Sequence, residues 1–264
     1  FHVFNNKLIT ITEKGVYTIK DDQVFQLNNK FQGTYTTSHN FRSKKEYFII
    51  GDHKGLLLVK YVNGQFLYKG RFPEINYRVT SIAEDEEGHL WVTGKQKGIY
   101  RISSFSDNLR QLEYKYYPPE MISKKQPAWI KLYSTSSGVL FSTSEGLFRF
   151  NNQKGSFYKD TSLLKDLSNK WIFPIVEDNS GNLWYNVVTK KNNAKNKLVV
   201  KRKNEETSQK TIHLSLNRIK NFYIKTIKPE SENLAWFGGS DGVVRIDFNQ
   251  YKKDKTSFNT LISK

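Results

Sequence analysis

An all-β fold built from a repeated four-stranded unit is what this sequence predicts, on two observations. The first is a phrase that recurs: Gly88-His89-Leu90-Trp91-Val92-Thr93-Gly94, three residues, then Gly98-Ile99-Tyr100-Arg101-Ile102. A weaker copy pairs Gly138-Val139-Leu140-Phe141-Ser142-Thr143 with Gly146-Leu147-Phe148-Arg149-Phe150. A third pairs Leu234-Ala235-Trp236-Phe237-Gly238-Gly239 with Gly242-Val243-Val244-Arg245-Ile246, and a fourth opens as Gly181-Asn182-Leu183-Trp184. The second observation is the residue types in and around each copy. The runs are short, rich in β-branched and aromatic side chains, and bounded by Gly, Asp, Asn or Ser, as strands and hairpins are. No long stretch places apolar residues at the 3.6-residue period of a helix.

The large apolar residue of each phrase marks the series Leu8, Phe48, Trp91, Phe141, Trp184 and Trp236, with steps of 40, 43, 50, 43 and 52 residues. Leu8 and Phe48 belong because each stands seven residues before a glycine, Gly15 and Gly55, as Trp91 stands before Gly98. There are thus six copies, with the first, second and fifth degenerate. In the third, Val79–Asp85 reads as the first strand, Leu90–Gly94 as the second, Gly98–Ser103 as the third and Leu109–Tyr114 as the fourth. Glu86-Glu87-Gly88 and Asn179-Ser180-Gly181 read as hairpin turns, because glycine supplies the positive φ of a tight turn. Thr161–Lys170 is the best helical candidate, at about two turns.

A four-stranded unit of about 40–50 residues in tandem predicts a β-propeller of four-stranded blades. A solenoid of β-hairpins is the alternative, and its repeats are usually shorter. In a propeller the bulky residue of each second strand packs between neighbouring sheets. Trp91, Trp184 and Trp236 are therefore expected in the core rather than stacked on a ligand.

The 264 residues suffice for one large all-β domain, taken as residues 1–264. Apolar residues make up 37% and aromatic residues 14%, a balance that suits sheet packed on sheet. No apolar run approaches 18 residues, so no segment is expected to span a membrane as a helix. No signal peptide is visible, and the chain opens mid-pattern just ahead of Leu8, which reads as a fragment of a longer protein. The absence of cysteine excludes disulfides, thiolate zinc sites and a cysteine nucleophile.

The net charge of +17, from 42 basic and 25 acidic residues, admits a polyanion partner: nucleic acid, acidic glycan or anionic membrane. A lysine-rich proteome is the plainer explanation. There are 33 lysines and nine arginines, whereas nucleic-acid readers lean on arginine for bidentate contacts, and no nucleic-acid partner is expected. The densest basic stretch, Lys190, Lys191, Lys195, Lys197, Lys201, Arg202 and Lys203, falls at a long hairpin tip in the fifth copy.

The search for chemistry finds structural devices instead. Among His2, His39, His53, His89 and His213 no pair has the spacing of a helical zinc site. There is no nucleophile-elbow Gly-x-Ser-x-Gly and no phosphate-binding Gly-rich loop before a helix. Glu84-Asp85 and Glu177-Asp178 recur just before the turn glycine, where a carboxylate can accept hydrogen bonds from turn amides. Arg101, Arg149 and Arg245 recur at one register of the third strand, which suits packed stems and bonds to neighbouring carbonyls or carboxylates. Catalysis needs one asymmetric constellation, not a residue copied in every unit. No catalytic residue, metal or cofactor is expected.

These residues resemble the two-component-regulator propeller repeat. Its blade pattern is similar to Ile-x-Glu-Asp-x-x-Gly-Asn-Leu-Trp-Val-Gly-Thr followed by Gly-Leu-x-Arg and a hydrophobic residue. Ser81 to Thr93 and Ile175 to Trp184 match it closely. The ending Phe258-Asn259-Thr260-Leu261-Ile262 looks like the stretch that leaves the last blade in this family. The fifth unit departs after Trp184, where Leu198-Val199-Val200-Lys201 replaces the Gly-Leu-x-Arg element. The resemblance implies a periplasmic sensor ahead of a membrane helix, with a histidine kinase, nucleotide cyclase or DNA-binding module as output. Many Bacteroidetes members sense oligosaccharides and switch on genes for their breakdown. Family propellers are usually seven-bladed, so six copies imply most of one such ring; a closed six-bladed ring is the alternative.

Propeller ligands bind at the loops between second and third strands and between blades. The first set contains Asp52, His53, Lys95, Gln96, Lys97, Ser144, Glu145, Lys190, Lys191, Ser240 and Asp241; the second contains Tyr116, Tyr117 and Trp129, with Trp171 at the start of its unit. Tyr and Trp stack on sugar faces, while Lys, Asp and Gln bond to hydroxyls or acids. Three functions follow in order. The first is a non-catalytic sensor that binds an oligosaccharide or other small ligand, perhaps anionic in view of the charge. The second is a structural or protein-interaction propeller that dimerises with no ligand of its own. The third is a propeller lyase or hydrolase. A homodimer is expected in the full-length protein, with membrane contact only through a helix outside this chain.

Overall fold

The computed structural model describes residues 2–4, 7–12, 14–21, 23–27, 35–63, 65–124, 129–161, 170–188, 196–203, 210–212, 222–240 and 242–250. Among them the architecture is all β. The strands are β1 (His2–Phe4), β2 (Lys7–Thr12), β3 (Gly15–Lys20) and β4 (Gln23–Gln26) in a first sheet, and β5 (Tyr35–Asn40), β6 (Tyr47–Asp52), β7 (Gly55–Val62) and β8 (Gln65–Arg71) in a second. The third sheet holds β9 (Val79–Glu84), β10 (Leu90–Gly94), β11 (Ile99–Phe105) and β12 (Leu112–Tyr117). The fourth holds β13 (Lys131–Thr135), β14 (Gly138–Thr143), β15 (Gly146–Asn151) and β16 (Ser156–Lys159). The fifth holds β17 (Trp171–Glu177), β18 (Leu183–Val188), β19 (Asn196–Lys201) and β20 (Lys210–Ile212). In the sixth, β21 (Ile224–Ser231), β22 (Leu234–Gly239) and β23 (Gly242–Asp247) are described.

Each sheet is a meander of sequential strands, which is a propeller blade. All six markers fall in second strands: Leu8 in β2, Phe48 in β6, Trp91 in β10, Phe141 in β14, Trp184 in β18 and Trp236 in β22. The two turns read from sequence are present, with Gly88 at φ 81° and Gly181 at φ 80°, values that carry a strain penalty for any side chain. Leu198–Lys201 lies within β19, the third strand of the fifth sheet. The helical candidate Thr161–Lys170 lies outside the described residues except at its two ends. No described helix is long and apolar enough to cross a membrane.

The fourth strand of the third sheet corrects the sequence reading. It runs Leu112–Tyr117, three residues later than expected. Residues 106–111 form the turn instead, closed by the Ser106 amide donating to the Gln111 carbonyl at 2.9 Å. Leu109 takes a positive φ of 56° there and buries its side chain between the second and third sheets.

The chain divides into two compact units, Phe1–Phe141 with Phe148–Tyr158, and Ser142–Leu147 with Lys159–Lys264. In the first, successive sheets cover one another. Ile9 and Val16 pack on Phe48, Ile50 and Val59; Ile49, Leu58 and Phe72 pack on Val79, Leu90 and Val92; Trp91, Ile99 and Tyr117 pack on Leu132, Val139 and Phe141. In the second, Trp184, Leu198 and Val200 pack on Ile224, Ala235 and Phe237. Trp91 and Trp184 are 1% and 0% exposed, as expected. Trp236 is 41% exposed, contrary to expectation: its indole meets the exposed Glu230 carboxylate and the Arg245 guanidinium.

Candidate functional site

The recurring polar residues build the turns. Asp85 precedes the β9–β10 turn, and its Oδ1 accepts the amides of Glu87 at 3.1 Å and His89 at 2.8 Å. Its Oδ2 accepts the Trp91 indole N–H at 2.8 Å and Arg101 Nη2 at 3.2 Å. Asp178 repeats this: Oδ1 takes the amides of Ser180 and Asn182, and Oδ2 takes the Asn182 amide group and the Trp184 indole at 2.8 Å. Glu230 repeats it with Trp236 at 2.9 Å and a two-pronged Arg245, both contacts at 2.9 Å. Burial alone would raise the pKa of Asp178, but the bonds from Trp184 and Asn182 hold it below the ordinary carboxylate value. The same six-residue spacing from carboxylate to tryptophan stands in all three copies, a sequence signal for this one device.

Asp85, Glu87 and His89 bring three ligating atoms within 4.8 Å of one another. Arg101 Nη2 already sits among them, 3.2, 3.1 and 2.8 Å away respectively, so a guanidinium holds the position a metal cation would take. Glu84, next to Asp85, turns to the second sheet. It is 1% exposed and accepts the Arg42 amide at 2.6 Å, the Ser43 amide at 3.3 Å and the Ser43 hydroxyl at 2.7 Å, with His39 Nε2 at 3.2 Å. Burial pushes its pKa up, and these bonds, His39 first, outweigh burial and bring it down to about 2. Of the described histidines, His39 lies on Glu84, His89 on Asp85, His53 is exposed in the β6–β7 turn and His2 opens β1.

The candidate ligand residues separate into three groups. Asp52 and Tyr117 belong to the framework. Asp52 is fully buried and takes a bidentate pair from Arg71 at 2.9 and 2.6 Å. Tyr117 is 2% exposed and stacks on Trp91 at 5.8 Å, because strand alternation sends it inward and Tyr116 outward. Trp171 starts β17 half-buried against Phe173, and Ser144 and Glu145 form the β14–β15 turn, where the Glu145 amide donates to Thr143 Oγ1 at 3.0 Å. Ser240 is exposed and accepts the Tyr223 amide at 3.4 Å. Lys190, Lys191 and Asp241 lie outside the described residues.

The remaining candidates cluster. Lys95, Gln96 and Lys97 form the exposed β10–β11 turn, with Gln96 at φ 57°. Lys95 Nζ stands 5.2 Å from the ring centre of Trp129, which is 43% exposed just before β13. Lys97 Nζ stands 5.9 Å from the Tyr77 ring, and Tyr116 is 45% exposed beside them. Flat rings and ammonium groups at one strand end can stack on a ring-shaped ligand and bond its oxygens. A cavity of about 160 Å³ lies at the opposite end of β10, walled by Glu86, Glu87, Ser137, Arg149 and Asn152. Its polar walls bond each other, Asn152 Nδ2 to Glu87 at 2.8 Å and Arg149 Nη2 to Ser137 Oγ at 3.0 Å.

Residues 73–96, which include β9, its carboxylate turn and β10, match the model of the two component regulator propeller. The chain carries this repeat. No curated protein matches it in sequence. An extracellular domain named as that of a hybrid two component system from B. thetaiotaomicron is similar over 96% of this chain and 31% of its own, with 16% identity and a TM-score of 0.63. A second from the same organism is similar over 97% and 37%, with 16% identity and a TM-score of 0.61. A virginiamycin B lyase variant from Staphylococcus aureus is similar over 91% and 80%, with 14% identity and a TM-score of 0.58. At these identities the likeness is one of fold, and the β-propeller is shared by extracellular domains and by enzymes. The chain spans about a third of the two B. thetaiotaomicron domains.

Proposed function

We propose that this chain is a non-catalytic sensor propeller from the extracytoplasmic part of a two-component signalling protein, and that it binds an oligosaccharide or similar small ligand at the β10–β11 turn. The observation that carries the reading is Trp129. The tryptophans at β10 and β18 are sealed between sheets, whereas this unrepeated one is 43% exposed under Lys95. Such a ring, set beside a matched stretch of the propeller repeat, suits recognition rather than packing. The carboxylates that recur are engaged by turn amides, indoles and guanidinium groups, which supports the non-catalytic assignment.

A thermal-shift screen of the chain against a panel of neutral and uronate-containing oligosaccharides tests the reading. A ligand at ten times its Kd stabilises by about 1.4 kcal/mol, a rise on the order of 3 °C. Absence of any shift at millimolar concentration counts against oligosaccharide sensing here. One observation favours a second reading, a propeller that pairs with another protein surface: Trp236 and Val243 are 41% and 61% exposed in the sixth sheet. Sedimentation of wild type and Trp236→Glu tests it, through a dimer that the variant dissociates.

A further inference from the structure

We propose that the recognition surface at the β10–β11 turn continues along a tyrosine ladder on the outer strands of the third sheet, which binds the ring faces of an uncharged glycan chain. This deepens the sensor reading and rests on it. Tyr100 on β11 pairs across the sheet with Tyr116 on β12, and Ile102 pairs with Tyr114. The Tyr100 ring therefore lies 4.9 Å from Tyr116 and 5.5 Å from Tyr114, and Tyr77, from the segment before β9, adds a fourth ring 6.2 Å from Tyr100. Tyr114 and Tyr116 are 44% and 45% exposed.

The ladder is seated, not draped. A Cβ on Gly94 would collide with the Tyr77 ring, and a Cβ on Gly98 would collide with the Tyr116 ring and the Tyr117 carbonyl. The two glycines that bound the Lys95–Lys97 turn thus let two rings lie directly on backbone. Such close approach fixes the rings before any ligand arrives, which lowers the ordering cost of binding.

The residue type says what the ladder meets. Where the second and third sheets cover each other, the buried side chains are aliphatic or Phe with one tyrosine, Tyr47, and Tyr77 and Tyr100 pack against their edge, which leaves Tyr114 and Tyr116 as the open rings. Tyr114 and Tyr116 offer open apolar faces with polar tips, backed by Tyr100 and Tyr77, the chemistry that meets a hydrated, polyhydroxylated ring. Tyr77 Oη and Glu74 Oε2 have no hydrogen-bond partner among the described residues, and Glu74 is close enough for its charge to act on Tyr100.

Native affinity electrophoresis toward the cathode tests the proposal, in gels cast with mannan, xylan, galactan, arabinan or β-glucan, and separately with polygalacturonate. Wild type is expected to be retarded in at least one neutral gel. The Tyr114→Ala/Tyr116→Ala variant, which removes two exposed rings and no charge, is expected to bind that polymer about tenfold more weakly. Retardation by polygalacturonate alone, equal in both proteins, reports the +17 charge and overturns the proposal. So does neutral-gel retardation that the variant keeps, or none in any neutral gel. The sensor reading fails separately, through the thermal-shift screen: a shift that survives the double variant sinks the ladder and leaves the sensor standing.

Discussion

Glu84→Gln removes a charge that ties the third sheet to the second. The carboxylate is 1% exposed and accepts from Arg42, Ser43 and His39 of the neighbouring sheet. Its folded pKa of about 2 compares with an ordinary value of 4.5. Each pKa unit is worth about 1.4 kcal/mol, so ionised Glu84 contributes about 3 kcal/mol at neutral pH. The pKa is depressed, so this stability is fully present above about pH 5 and is lost as pH falls toward 2. From pH 7 to pH 3 the loss is about 2 kcal/mol. Glutamine cannot titrate, and its amide would face donors. Urea unfolding of wild type and Glu84→Gln at pH 7, 5, 4 and 3 is expected to show the variant about 3 kcal/mol less stable at pH 7, with the gap shrinking to about 1 kcal/mol at pH 3. A gap that stays constant across that range would refute the reasoning, because the stabilisation would then not come from the ionised carboxylate.

Trp91→Ala is expected to cost about 3–5 kcal/mol, since it opens a sealed inter-sheet site, whereas Trp236→Ala, at a 41% exposed position, should cost about 1 kcal/mol; urea midpoints of the two variants check the contrast. Asp52→Ala leaves Arg71 without its bidentate partner and should destabilise by about 3 kcal/mol, and oligosaccharide affinity measured in its folded fraction should be unchanged.

The blades were legible because their markers obey backbone rules. A positive φ needs glycine at positions 88 and 181, and a carboxylate two or more residues earlier caps the turn. Trp91 and Trp236 carry the same carboxylate and arginine partners, yet one is buried and the other exposed. Burial depends on what packs against a face, which no local pattern records. A fourth strand ending at Tyr114 would put Tyr116 and Tyr117 together in a link, whereas the strand runs to Tyr117. Within a strand, alternation sends neighbours to opposite faces, so one is core and one is surface. The Lys95–Trp129 contact joins residues from two sheets, and its parts, but not its geometry, were legible as unrepeated loop residues.

The most direct test of the sensor account is a titration of wild type and Trp129→Ala, side by side, with the oligosaccharide that most stabilises the wild type. Trp129 is exposed, so the account predicts equal unfolding midpoints without ligand and a Kd at least about tenfold weaker in the variant. Equal affinity in the two proteins would contradict it.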